Sequence, residues 1–222
     1  MLSLVPNVPS DRPLRVLCLG AHCDDIEIGC GGTVLALTEQ LRNVAVDWVV
    51  WSSTPERERE ARASADTFLA AAKEKTVRVM SFRDGFFPYI GGEIKDEFER
   101  LKRTCTPDLV LTHYRNDLHQ DHRLISELTW NTFRRHLILE YEIPKYDGDL
   151  GAPNTFVPLE EAICQRKIDS ILDCYRSQVD HTWFSRDLFT ALLRLRGMEA
   201  NSPTAFAEGF YCRKAVLGLE TR

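Results

Sequence analysis

The residues most able to do chemistry fall in two short runs. One is Ala21-His-Cys-Asp-Asp-Ile-Glu-Ile-Gly-Cys-Gly-Gly-Thr33, directly after the apolar stretch Leu14–Gly20; the other is His119-Gln-Asp-His-Arg123. A histidine beside two adjacent aspartates at a strand end is costly to hold unless something positive lies among them. A divalent cation meets that need. Catalytic zinc keeps three protein ligands and leaves one position open for water. His22, Asp25 and His122 would supply two imidazoles and a carboxylate, a donor set that also suits Fe2+ or Co2+. With two neighbouring aspartates, one can bind metal while the other stays free to take a proton from a metal-bound water. His119 can face a substrate carbonyl and, when protonated, steady an oxyanion and protonate a leaving amine. Asp121 can orient one of the histidines.

Blander readings compete for the same residues. His-x-Asp-Asp alone also reads as a capped helix start, its aspartates satisfying free amides. Gly29, Gly31 and Gly32 have the spacing Gly-x-Gly-Gly, not that of a dinucleotide-binding turn, and the aspartates before them would repel a pyrophosphate. Their simpler job is to let a helix pack closely. His113 reads as a neighbour of the site or as core, with Asp117 close by in sequence. His136 reads as helix-terminal and His181 as structural or surface. Trp183 and Phe184 read as a sugar platform or as packing.

The elements that must position these groups alternate. Apolar and β-branched runs predict strands at 14–20, 44–51, 77–81 and 108–112, with another at 137–142. Helical patterns are predicted over 32–41, from Thr54-Pro55 to about residue 72, over 93–103 and over 124–136. Residues 143–160, rich in Pro, Gly and Asp, read as a long loop, and the part at Tyr146–Pro153 is where substrate specificity is expected to be read. Two helices follow at 159–174 and 185–196, then a last strand within Ala205–Leu217. Such alternation predicts an α/β fold, a mostly parallel sheet with helices on both faces. Ligands of such sheets bind outside the carboxyl ends of the strands, and both runs fall there.

Size and composition fit one domain over 1–222, with an irregular lead-in at 1–13 that holds three prolines. The net charge of −5, without a basic block, argues against nucleic acid and anionic membranes as partners. The start lacks the pattern of a signal peptide, and no apolar run is long enough to span a membrane. Seven cysteines at irregular spacings, with no Cys-x-x-Cys pair, read as reduced thiols of a cytoplasmic protein.

Together the two runs resemble the PIG-L/LmbE family of zinc-dependent deacetylases. Softer matches are Arg57-x-x-Glu60-Ala61, Phe82-Arg-Asp84-Gly85, Pro153-Asn154-x-Phe156, Ser177-Gln178 and Ala207-Glu208-Gly-Phe210. The resemblance implies a Rossmann-like fold and hydrolysis of a linear amide C–N bond. The substrate it implies is a small-molecule glycoconjugate that carries N-acetylglucosamine. It assigns zinc to His22, Asp25 and His122, the general base to Asp24, and oxyanion or acid work to His119, with Asp121 as its orienter. Arg57 and Asp84 fall at substrate-binding positions, with Arg59 a rival for Arg57. Cys23 and Gln120 stand where proline is common in the family; Cys23 reads as a packed bystander, with a fourth ligand or an oxidation-sensitive thiol as alternatives. The rival readings are an amidase for a non-sugar amide or thiol conjugate at the same metal, and a sugar or nucleotide binding module without turnover. The oligomeric state stays open, a homo-oligomer included.

Overall fold

Five strands lie parallel because each of the first four is followed by a helix that crosses back over the sheet. The computed structural model describes residues 11–41 and 43–216. Most of the lead-in at 1–13, and Leu217 at the end of the last predicted strand, lie outside the described residues. The strands are β1 (Leu14–Gly20), β2 (Val44–Val50), β3 (Glu74–Val79), β4 (Leu109–His113) and β5 (Leu137–Tyr141). The crossing helices are α1 (Asp25–Gln40), α2 (Pro55–Phe68), α3 (Gly91–Thr104) and α4 (Gln120–Thr132). Side chains along β1 alternate between two cores. Val16 and Cys18 join residues of α1 and α2, whereas Leu17 and Leu19 join Ile94 and Phe98 of α3 and Ile125 of α4.

The remaining elements are β6 (Thr155–Pro158), α5 (Glu161–Cys174), α6 (Arg186–Glu199) and β7 (Ala207–Cys212). The strand order is β3-β2-β1-β4-β5-β7-β6. The last two joins, β5 with β7 and β7 with β6, are antiparallel. The fold is therefore the expected α/β sheet, mostly parallel, with an antiparallel edge. β6 corrects the expectation of a continuous loop over 143–160. It is four residues long, only partly buried and framed by Pro153 and Pro158, so it carries little strand signal.

Two helix starts also differ from the reading. α1 begins at Asp25, not Gly32, and α4 at Gln120, not Leu124. Charged residues and glycines occupy the first turns, where apolar periodicity fails. Gly29 shows why glycine stands there: a β-carbon on it would run into the ring of Tyr141. In consequence His122 sits on a helix, not in a loop.

The order of the strands fixes the site. β1 pairs with β2 on one side and β4 on the other, with Cys18 opposite Leu111. The chain goes one way from β1 to β2 and β3, and the other way from β4 to β5. A crevice opens at the carboxyl ends where such an order reverses. His22–Asp25 leave β1 there, and His119–His122 leave β4.

Candidate metal centre and active site

β1 stops at Gly20, and the next residues stay tied to β2 by Trp51 N–H to Gly20 O (3.0 Å) and Ser52 N–H to Ala21 O (2.8 Å). This holds His22 at the sheet's edge. Asp24 is the residue that caps α1, yet its carboxylate makes no capping bond. Asp25 accepts the His22 backbone N–H at 2.6 Å. The His22 amide precedes α1, so neither aspartate caps the helix through its side chain. On the other side, His119 caps α4 by accepting the Asp121 N–H at its Nδ1 (3.3 Å).

Three groups converge. His22 Nδ1 lies 3.1 Å from His122 Nε2 and 3.4 Å from Asp25 Oδ2, and His122 Nε2 lies 3.5 Å from Asp25 Oδ1. Four ligands around zinc at 2.0–2.1 Å sit about 3.3–3.4 Å from one another. The protonation pattern points the same way. His122 gives its Nδ1 proton to Asp117 Oδ2 (2.9 Å), which leaves a lone pair on Nε2. His22 turns Nε2 toward Asp84 Oδ1 (3.0 Å) and Asp121 Oδ2 (3.3 Å), so Nδ1 is the nitrogen that faces His122; burial opposes a charge on this ring, but Asp25, Asp121 and Asp84 outweigh it and raise His22 well above its ordinary range, so a metal at Nδ1 would take the place of a proton. Two ring nitrogens and a carboxylate facing one another call for positive charge between them. The residues fit a divalent metal.

His119 joins this group with its ring 4.9 Å from His22 and 4.5 Å from His122, centroid to centroid, and the three histidines can themselves gather round one ion. His113 packs flat on His122 at 4.0 Å, and with Asp25 and His122 it forms another such cluster. Its Nε2 accepts the Ala21 N–H (2.9 Å), while its Nδ1 is buried without a partner.

Charge and burial divide the aspartates. Burial opposes ionisation of Asp25, but the imidazoles of His122, His113 and His22 outweigh it and hold the carboxyl well below its ordinary range. Asp24 goes the other way: burial raises it, Arg57 partly offsets this, and the charge of Asp25 adds to the rise. Arg57 Nη2 lies 2.9 Å from Asp24 Oδ1, whereas Asp24 Oδ2 is buried with no partner. Burial, helped by His113, pushes His122 down to about 3, so its neutral, metal-binding form prevails. Burial and the charge of His22 also lower His119.

Other expected residues lie nearby with different contacts. The carboxylate of Asp121 accepts from Gly85 N–H (2.7 Å) and Phe87 N–H (3.1 Å) and faces His22, so it touches His119 only through its backbone. Gln120 donates to Gly85 O, pinning the same loop. Asp84 is exposed at the mouth and directed to His22. Arg57 reaches Asp24, while Arg59 is exposed. Cys23 turns its thiol to Ser52 O (3.3 Å), and burial pushes it up to about 12. That geometry fits the packed bystander.

Asp117 lies close to the second run in sequence, and its residue type alone gives it no task. In the fold it accepts from His122, from His119 N–H (2.7 Å) and from Lys145 Nζ (2.9 Å). Burial resists its ionisation, but the bond from His122 holds it well below its ordinary range. Its position two residues before a histidine of the second run was the available signal.

Known structures share this architecture. A conserved protein from Thermus thermophilus is 21% identical over 93% of this chain and 97% of its own, with a TM-score of 0.74. The N,N'-diacetylchitobiose deacetylase from Pyrococcus horikoshii is 21% identical over 89% of this chain and 82% of its own, at 0.70. GalB, a 4-carboxy-2-hydroxymuconate hydratase from Pseudomonas putida, is 18% identical over 94% and 99%, at 0.69. At these identities the likeness is one of fold, and the fold serves more than one reaction. The family model described as PIG-L: GlcNAc-PI de-N-acetylase matches residues 17–133. That span is more than half of the chain and holds both runs, so the chain belongs to the PIG-L family.

Proposed function

We propose that this protein is a zinc-dependent N-deacetylase that removes the acetyl group from an N-acetylglucosamine-type glycoconjugate. The observation that carries the reading is the facing pair of imidazole nitrogens at His22 and His122, closed by the Asp25 carboxylate, beside an Asp24 with one oxygen free. A zinc ion held by these three ligands would supply Lewis acidity to the amide carbonyl and lower the pKa of nearby water. Asp24 takes the proton of the attacking water at Oδ2, while Arg57 holds Oδ1 in place. His119 stands where its ring N–H can steady the oxyanion, and the proton that Asp24 takes from water is the one delivered to the leaving nitrogen. Asp121 and Asp84 work through His22 by fixing its ring, and Asp121 also ties down the 85–87 loop. Asp84, at 74% side-chain exposure, is also open to substrate hydroxyls, and Arg57 lies deeper on the same side. All seven cysteines are free thiols, which supports a reducing, cytoplasmic setting. Among the described residues no helix is long and apolar enough to cross a membrane.

The test is acetate release from a panel of N-acetylglucosaminides and non-sugar N-acetyl amides, with and without chelator. Release from the sugars should vanish on chelation and return with zinc. Asp24→Asn should keep stoichiometric zinc and lose about 10²–10⁴-fold in kcat. Turnover that survives complete metal removal, or an Asp24→Asn variant at wild-type rate, would overturn the mechanism. Faster release from the non-sugar amides would redirect the substrate assignment.

A further inference from the structure

Beside the candidate centre lies an open groove of about 490 Å³. That is within the range of small-molecule sites, about 300–1,000 Å³. One wall is Pro144, Tyr146 and Leu150; the other is Trp183 and Leu188. Tyr146 is 72% exposed and Leu150 42%, a notable cost for two large apolar side chains on one loop.

One wall is tied directly to the site, and the other is bridged to it. Lys145 lines the groove, and its Nζ is 2.9 Å from Asp117 Oδ2, the oxygen that also accepts from His122. The walls are bridged by Tyr146 Oη and Thr182 Oγ1 at 3.0 Å. The groove is therefore joined to the proposed reaction site through Lys145 and Asp117.

Its chemistry is selective. Among the described residues Lys145 is the one charged side chain in the lining, and Asp117 and Asp149 (2.6 Å) already neutralise it. The two hydroxyls of the lining are committed to each other. Trp183 is backed by His181, stacked at 5.7 Å and 14°. Phe184, the other half of the expected platform, is buried in the core. Little polarity is left for a second sugar, whose hydroxyls would each need a partner. An indole with apolar neighbours suits a flat or ring-shaped hydrocarbon.

We propose that this groove is the subsite for an uncharged apolar group, aryl or cycloalkyl, carried by the substrate beyond its N-acetylated ring. The proposal deepens the N-deacetylase reading and rests on it for the placement of that ring.

Two measurements on the zinc-loaded full chain test it. In calorimetric titration, where no turnover is needed, phenyl β-glucoside should bind about tenfold more tightly than methyl β-glucoside. Leu150→Asp and Trp183→Ala should erase that preference; Leu150 is exposed enough to vary without unfolding the chain. In turnover, kcat/KM for phenyl N-acetyl-β-glucosaminide should fall about tenfold in both variants through KM, with the methyl glycoside unchanged. Equal binding of phenyl and methyl glucosides, a preference that Leu150→Asp leaves intact, or tighter binding of cellobiose than of the phenyl glucoside overturns the proposal. A preference that Leu150→Asp erases, with no amide cleaved, upholds the groove and removes the deacetylase reading instead.

Discussion

Asp117 decides what His122 can offer. By taking the Nδ1 proton it commits the ring to one tautomer and aims the other nitrogen at His22 and Asp25. For the proposed ligand His122, a partner of this kind, one bond removed from the metal, is worth about 10–100-fold in metal affinity. Asp117→Ala should therefore weaken zinc binding by about that factor, read by competition with a chromogenic chelator. An unchanged affinity would show that stacking on His113 alone orients the ring. The histidines and aspartates of the two runs were legible because their types and spacing announce a cation. Asp117 was not, because its task depends on where a ring nitrogen points. The same limit applies to Asp121: sequence proximity suggested His119 as its partner, whereas the carboxylate spends its oxygens on the Gly85 and Phe87 amides and on His22.

At the scale of elements, α1 is the part least like its sequence pattern. Its early glycines look like a loop, yet they are the condition for burying a helix against Tyr141, Phe68 and Leu159. Gly29→Ala should force the Tyr141 ring aside and loosen its bond to Leu19 O (2.6 Å). The expected cost is about 1–3 kcal/mol, measured by urea unfolding. A second device steadies the same helix. Glu208 accepts from Gly32 N–H (2.8 Å) and Thr33 N–H (2.7 Å), and Lys167 donates to Ile28 O (2.7 Å) while pairing with Glu208. Lys167→Met would leave that carboxylate buried and unpaired, at a cost of about 3–5 kcal/mol. Adding Glu208→Gln should restore part of it in the same unfolding assay. A double variant no better than the single one would assign the loss to packing. Four of the parallel strands were readable from apolar runs bounded by turns, whereas β3 begins at Glu74, ahead of the expected 77–81, because its first residues are polar and exposed. β6 was not, because a short edge strand between prolines has neither feature.

The whole molecule keeps its thiols out of reach. Cys18, Cys23, Cys30, Cys105 and Cys164 are buried, and Cys174 and Cys212 are partly so. Burial pushes Cys23 and Cys105 up to about 12 and Cys164 to about 11. The reactive species is the thiolate. At pH 8, below these raised values, the three stay protonated, and their reactivity grows only as pH rises toward them. Alkylation at pH 8 should reach Cys174 and Cys212 first, and all seven only in denaturant, as followed by mass spectrometry. Early modification of Cys23 in the native chain would contradict the packed reading.

The pairing of β1 with β4 carries a consequence for biosynthesis. These strands are neighbours in space but are made far apart in time. A nascent chain that ends before β4 exposes His22 and Asp25 and lacks His113, Asp117, His119 and His122. On the proposed ligand set, such a chain lacks the second imidazole and would not yet hold the ion. Ion capture would then mark the moment when the central strand pair closes, after translation has passed the second run.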